Sequence, residues 1–211
     1  TANPDYWNKD AVKYENLTIN VMEDTTAILN AIRAGEANGA KIADNNTIAD
    51  VEAAGWTIES NELDFQGLLL LDRAGTMAPE LADLKVRQAI NMAFDREALL
   101  QSLQSGYGSV TEQVFPETSA AYDAALDSTY AYDPDAAKAL LAEAGYPDGF
   151  TLNMMSTPAF QTTFDLVAQQ LSDIGITVKY TDPGASNFIT DMLAPKYPAT
   201  WMALEQNPDW Q

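Results

Sequence analysis

Hydrophobic positions recur along this chain in two rhythms: every third or fourth residue, as on one face of a helix, and every second residue, as on one face of a strand. The most complete example lies at 132–150. Asp133 is placed to cap free amides, Pro134 sits where its missing N–H costs nothing, and Asp135 lies near the positive end of the helix dipole. Ala136, Ala137, Leu140, Leu141 and Ala144 share one face. Gly145 stops the helix, Tyr146 folds back on Leu141, and Pro147 blocks continuation. Asp148-Gly149 then turns the chain into an alternating strand from Phe150 to Met154.

The same reading covers the rest of the chain. Asn3-Pro4-Asp5 is a turn, followed by Tyr6 and Trp7 as rings covering a core edge. Leu17, Ile19 and Val21 alternate as a strand over 17–21. Thr25 or Thr26 caps a helix with Ala27, Ile28, Ala31 and Ile32 on one face, stopped by Gly35. A strand, a helix near 48–54 ended by Gly55, and a strand over 56–59 fill residues 42–60. The run Leu68 to Leu71, in a strand over 65–71, has the continuous apolarity of a strand covered on both faces. Pro79-Glu80 opens a helix with Leu81, Leu84, Val86, Ala89, Ile90, Ala93 and Phe94 inward, and Asp95 caps a second one through 96–104, closed by Gly106. Residues 117–130 form a loop held down by Tyr122 and Tyr130. A helix with Phe160, Phe164, Val167, Leu171 and Ile174 on one face stops at Gly175, and a strand follows over 176–180. After Asp182-Pro183-Gly184, Phe188, Ile189, Met192 and Leu193 form a short amphipathic helix, and 200–204 is a last strand. Strands alternating with helices predict an α/β fold with a mixed, mostly parallel sheet flanked by helices. Without repeats or low-complexity linkers, 1–211 reads as a single domain.

Charge narrows the partners. Thirty-one acidic residues against 11 basic ones leave a net of −20, which disfavours nucleic acid and anionic membrane. Arg87 and Arg96, amid so many carboxylates, read as structural ion-pair partners. The chain has no cysteine and no histidine, so disulfides, thiolate chemistry and Ser-His-Asp or Cys-His catalysis are excluded. No phosphate loop, dinucleotide fingerprint or EF-hand pattern occurs, and neither cofactor nor metal is expected. The reading is therefore a binding protein and not an enzyme. Two competitors stay open: a glycoside hydrolase working through a carboxylate pair, and a structural or signalling interaction domain.

In a mostly parallel sheet, the ligand edge lies beyond the carboxyl ends of the strands. If Met154 and Leu204 end neighbouring strands, the loops 156–161 and 205–210 share that edge. They carry Ser156, Thr157, Phe160, Gln161, Glu205, Gln206, Asn207 and Trp210, with Trp201 shared between core and cleft.

Several words of the sequence resemble the extracytoplasmic solute-binding proteins that serve ABC importers for oligopeptides, dipeptides and nickel, the family 5 binding proteins. They are NPDYW, AIRAGEAN, LKVRQAINMAFDREALL with GYG and Phe115-Pro116 behind it, YDPDAAKALLAEAGYPDGF, and LVAQQLSDIGITVKY. The chain departs from the family pattern at Ala37, at Asn38, and at Asp72, where the family has asparagine. The resemblance runs from Asn3 to about Asn207. It implies the second lobe of a type II periplasmic-binding-protein fold, with the first lobe outside this sequence. It also implies a peptide or similar small solute, ABC permease subunits as partners, and a place outside the cytoplasmic membrane, periplasmic or lipid-anchored on its outer face. In peptide-binding members, an acid beside a tryptophan near the end of the last strand receives the peptide amino group. Leu204 stands at that tryptophan position here, with the acid displaced or missing.

Overall fold

A computed structural model describes residues 3, 5–8, 10, 13–22, 24–42, 44–60 and 64–205, the last without its side chain. The chain forms two compact units, residues 1–58 and residues 59–211.

In the first unit, α1 (Thr25–Arg33) is capped by Asp24, whose carboxylate accepts from the Ala27 N–H at 2.8 Å. A carboxylate serves the positive helix end better than the threonines that follow it. The buried face is Leu29, Ala31 and Ile32, turned by about one residue from the expected stripe. A second helix, α2 (Ile48–Ala53), ends at Gly55 in the left-handed region as expected. The strands expected at 17–21, near 42 and at 56–59 do not form. Alternation supplies a face, but a strand also needs a ladder partner, and none of these segments has one among the described residues. Leu17, Ile19 and Val21 are all exposed. Nor does Trp7 cover a core edge: it is 85% exposed and pairs with Tyr6, ring centroids 5.7 Å apart.

The second unit contains one four-stranded sheet built from β1 (Asp64–Leu70), β2 (Phe150–Met155), β3 (Ile176–Thr181) and β4 (Ala199–Glu205), in the order β1-β4-β2-β3. The β2–β3 and β2–β4 pairs are parallel and β1–β4 is antiparallel, so the sheet is mixed and mostly parallel. Alternate residues face one core: Leu152 and Met154 of β2, Ile176 and Val178 of β3, Ala199 and Trp201 of β4. Between these, Thr151, Asn153, Thr177 and Lys179 are exposed on the opposite face.

Helices close the core. Val86, Ala89 and Ile90 come from α3 (Leu84–Met92), Ala137 and Leu141 from α5 (Pro134–Glu143), and Phe164, Val167 and Leu171 from α6 (Gln161–Asp173). Full burial of each large side chain contributes roughly 1.5–3 kcal/mol. Leu84 is the exception to the expected stripe, more than half exposed. The run Leu68 to Leu71 is half-buried rather than covered on both faces. The helix α4 (Arg96–Gln104) starts on Asp95 and ends with Ser105 left-handed, one residue before the expected glycine. The last helix is α7 (Ala185–Leu193).

The unit at 132–150 forms as its residues dictate. Asp133 accepts from the Ala136 N–H at 2.9 Å, and the Tyr146 N–H donates to Leu141 O at 2.8 Å, closing the helix over Gly145. Tyr146 stacks at a tilt on Phe150, 5.5 Å between centroids. Gly149 has a second task. A Cβ there would lie 1.8 Å from Gly175 O, so the turn before β2 and the turn before β3 touch backbone to backbone.

This contact predicts unequal costs for two left-handed glycines. Gly145→Ala, with open space around it, should lose only the roughly 1–2 kcal/mol of a left-handed alanine. Gly149→Ala should lose clearly more, because Gly175 must move. Equal melting-temperature losses in thermal denaturation would refute the contact's role.

Candidate functional site

The register of β4 decides where the candidate residues stand. Met154 pairs with Ala199 and Met155 with Thr200, where β2 ends and β4 has barely begun. Five further residues carry β4 to Glu205, roughly 17 Å beyond at 3.3 Å per residue. β1 follows it outward, from Leu70 opposite Ala199 to Asp64 opposite Glu205. The β2 and β4 ends therefore point the same way as expected, but they are not level. Ser156 leaves the sheet beside the base of β4, not beside its tip.

Ser156 extends the β2–β3 ladder by one bond, its N–H donating to Thr181 O at 3.0 Å. Thr157 is buried at the start of a 3-10 turn over Pro158–Phe160, with no side-chain cap bond. Neither hydroxyl bonds to a described residue, and no buried side-chain polar atom is without a partner among those residues. Each of these two hydroxyl oxygens therefore keeps some contact with solvent, although Thr157 as a whole is buried. Phe160 packs against the core, and the exposed Gln161 amide donates to Asp165 Oδ1 at 2.8 Å. Trp201 is 7% exposed and meets Phe94 edge-on at 6.3 Å, so it belongs to the core. For Glu205 only the backbone is described, and Gln206, Asn207 and Trp210 lie outside the described residues. The structure brings Ser156, Thr157 and Phe160 together at the end of β2.

Two helices begin at this edge, α6 after β2 and α7 after β3, and neither has a side-chain cap. Each of α1, α3, α4 and α5 starts on an aspartate: Asp24, Asp83, Asp95 and Asp133. Instead, α6 continues the 158–160 turn, with the Gln161 N–H donating to Pro158 O, and ahead of α7 the Asp182 carboxylate accepts from the Gly184 N–H at 2.8 Å.

The strongly perturbed groups lie elsewhere and hold loops. Asp72, just past β1, is buried, and its carboxylate accepts from Thr76 N–H and Oγ1 (2.9 and 2.8 Å), Met77 N–H (2.6 Å) and Ala78 N–H (2.8 Å). Desolvation pushes its pKa up, but the hydrogen bonds outweigh this and hold it well below the ordinary 3.8. An asparagine here would offer only one acceptor atom. Asp127 holds the 111–130 loop the same way, accepting from Tyr122 OH (2.5 Å), Thr111 Oγ1 (2.8 Å) and Glu112 N–H (3.0 Å). The Tyr122 bond, against opposing desolvation, leads the effects that lower its pKa. The same bond, then burial, pushes the Tyr122 phenol up to about 12.

Both arginines are structural, but their hydrogen-bond acceptors are carbonyls, not carboxylates. Arg87 donates to Leu81 O and Ala82 O, and Arg96 to Asn91 O, Phe94 O and Tyr130 O. A cavity of about 180 Å³ opens between Phe94, Arg96, Glu112, Asp127 and Tyr132. Its charged walls are occupied with this loop scaffolding and include none of the residues expected at the ligand edge. Nothing in the spacing of 109–130 announces Asp127, Glu112 or Gln113, because their partners lie across an irregular loop. Among the described residues, no group of three or more acidic side chains is placed to hold a metal ion, and no helix is long and apolar enough to cross a membrane.

Comparison with known proteins places the chain in a family. Residues 1–210 match the model for bacterial extracellular solute-binding proteins, family 5, middle region. Heme-binding protein A of Haemophilus influenzae is 29% identical over 163 residues, 77% of this chain and 29% of that protein. Di/tripeptide-binding protein 1 of Pseudomonas aeruginosa is 29% identical over 186 residues, 84% of this chain and 34% of that protein. Among solved structures, HbpA2 of Haemophilus parasuis aligns with a TM-score of 0.78 at 27% identity, covering 97% of this chain and 41% of its own. The chain spans about a third of the length of the two relatives. It belongs to the family 5 bacterial extracellular solute-binding proteins.

The Asp127–Tyr122 bond yields a titration. Tyr122 should ionise near 12 in the intact protein, and in Asp127→Asn its pKa should fall toward the ordinary 10.0, read from tyrosine ring shifts in NMR. An unchanged value would remove Asp127 as the cause. Because Asp72 and Asp127 have depressed folded-state values, their contribution is full above the ordinary 3.8. It is lost as pH falls below that value, so acid should lower the melting temperature less in Asp127→Asn than in the parent chain.

Proposed function

We propose that this chain supplies the second lobe of a substrate-binding protein of an ABC importer. The protein captures a peptide or similar small solute in a cleft closed against a first lobe, then delivers it to the permease subunits. It works outside the cytoplasmic membrane, in the periplasm or lipid-anchored on the outer face, and it performs no chemistry on its cargo. The observation carrying this reading is the family match over 1–210. Relatives named for di- and tripeptides and for glutathione favour a short peptide as cargo.

Within the lobe, the contact set is Ser156, Thr157, Phe160 and Gln161 at the end of β2, and Glu205, Gln206, Asn207 and Trp210 beyond β4. Trp201 supports it from the core. The hydroxyl and amide side chains of this set suit the carboxylate and amide groups of a peptide. Capture needs an open and a closed state of different affinity, reached by hinge motion of two lobes, and one lobe carries half of those contacts.

Titration calorimetry tests this with di- and tripeptides, on the 211-residue chain and on the complete gene product. The complete protein should bind at least one short peptide at micromolar affinity or better, and the chain alone weakly or not at all. Micromolar binding by the chain alone would overturn the two-lobe requirement. A complete protein that binds no peptide would overturn the peptide reading.

A further inference from the structure

The sequence contains one Asn-Gly pair, Asn38-Gly39, and one Asp-Gly pair, Asp148-Gly149. Both dipeptides are chemically prone to imide formation, because glycine puts no side chain in the way of its own amide nitrogen as that nitrogen approaches the preceding side-chain carbonyl. The fold treats the two pairs in opposite ways.

Asn38 and Gly39 lie in irregular chain after α1, both exposed. The Gly39 N–H makes no hydrogen bond among the described residues, and neither does the Asn38 amide. A Cβ at Gly39 would meet nothing within 4 Å, so the backbone has room to rotate. At the other pair, the Gly149 N–H donates to Tyr146 O at 3.0 Å, and the residue is pressed against the Gly175 carbonyl. Its nitrogen is occupied and its backbone cannot swing. The remaining described asparagines are followed by residues with side chains, and several amides are engaged, Asn91 with Arg87 O and Asn187 with Pro183 O.

We propose that Asn38 is a site of spontaneous deamidation in the native protein, whereas Asp148 is protected by the fold. The Gly39 nitrogen, losing its proton, attacks Asn38 Cγ. A bond forms between that nitrogen and Cγ, the Cγ–Nδ2 bond breaks, and Nδ2 leaves as ammonia with the transferred proton. One water then opens the five-membered imide. Cleavage at Cγ gives aspartate, and cleavage at the backbone carbonyl gives isoaspartate, with one extra methylene in the main chain. Either product adds a negative charge to a chain already at −20, and isoaspartate also redirects the chain where it leaves α1. Water is the only co-reactant, and the step is faster at higher pH because the attacking nitrogen must be deprotonated.

The test is a timed incubation of the folded chain at mildly alkaline pH, followed by tryptic mapping against a time-zero digest. Cleavage after Arg33 and Lys41 isolates residues 34–41 in one peptide. Over days most of that peptide should convert to two forms one mass unit heavier, while the peptide holding Asp148 keeps its retention time. Asn38→Gln, whose longer side chain would need a larger ring, should abolish the conversion with circular dichroism unchanged. In denaturant, isoaspartate should also appear at Asp148. The proposal is overturned if 34–41 stays unmodified in the folded chain but converts in denaturant, or if Asp148 isomerises as fast as Asn38 in the native state.

Discussion

The sheet of the second unit depends on a seam two residues long. β1 and β4 are paired along seven positions and β2 and β3 along six, but these two halves meet only where Met154 faces Ala199 and Met155 faces Thr200. So short a ladder cannot hold a sheet together by backbone bonds alone, so side chains must complete the join. Thr200 is fully buried and its hydroxyl donates to Met155 O at 3.0 Å, adding a bond across the seam. On the core face, Ala199, Met154 and Trp201 are buried in the same cluster as Phe94, Phe164 and Val167. Helices packed against both halves do what the ladder cannot.

The candidate edge at the end of β2 inherits that offset. Because the halves join at the end of β2 and the start of β4, most of the β1–β4 ribbon runs on with no β2 neighbour. The space beside it is where Ser156 and Thr157 emerge. Asp72 secures the inner end of the ribbon. The Leu71 and Asp72 N–H groups both donate to Pro198 O, while the Asp72 carboxylate gathers the 76–78 backbone. The ribbon is thus fixed at its base and supported by fewer elements toward Asp64 and Glu205.

How far the sequence could be read follows from the range of each interaction. The unit at 132–150 was legible residue by residue because caps, stripe and stop are contacts within a few positions. The Phe164, Val167 and Leu171 stripe was legible for the same reason. The offset of β4 was not, since register is a relation between residues 45 apart, and period-two patterning is blind to sliding by an even number. Residues 17–21 failed in the converse way: the alternation was real, but a strand is defined by its neighbour. Gly149 was recognised as a turn residue, but its contact with Gly175 joins two turns separated by a whole βα unit. The arginines were judged by composition, whereas local carbonyls at helix ends were nearer than any carboxylate.

The acidity of the chain looks different once its carboxylates are located. A net of −20 suggests a solvated, repulsive surface. Yet Asp24, Asp44, Asp83, Asp95, Asp123 and Asp133 each accept a backbone N–H at the start of a helix or 3-10 turn, and Asp72 and Asp127 each organise a loop. Aspartate in this fold is the standard acceptor for unpaired amides. The helices α6 and α7, which open on the carboxyl ends of the parallel strands, lack such a cap, as does α2, although Asp182 accepts the Gly184 N–H just ahead of α7. At α6 the preceding turn supplies the acceptors, Thr157 O for the Phe160 N–H and Pro158 O for the Gln161 N–H. Part of the chain's acidity thus serves its own backbone.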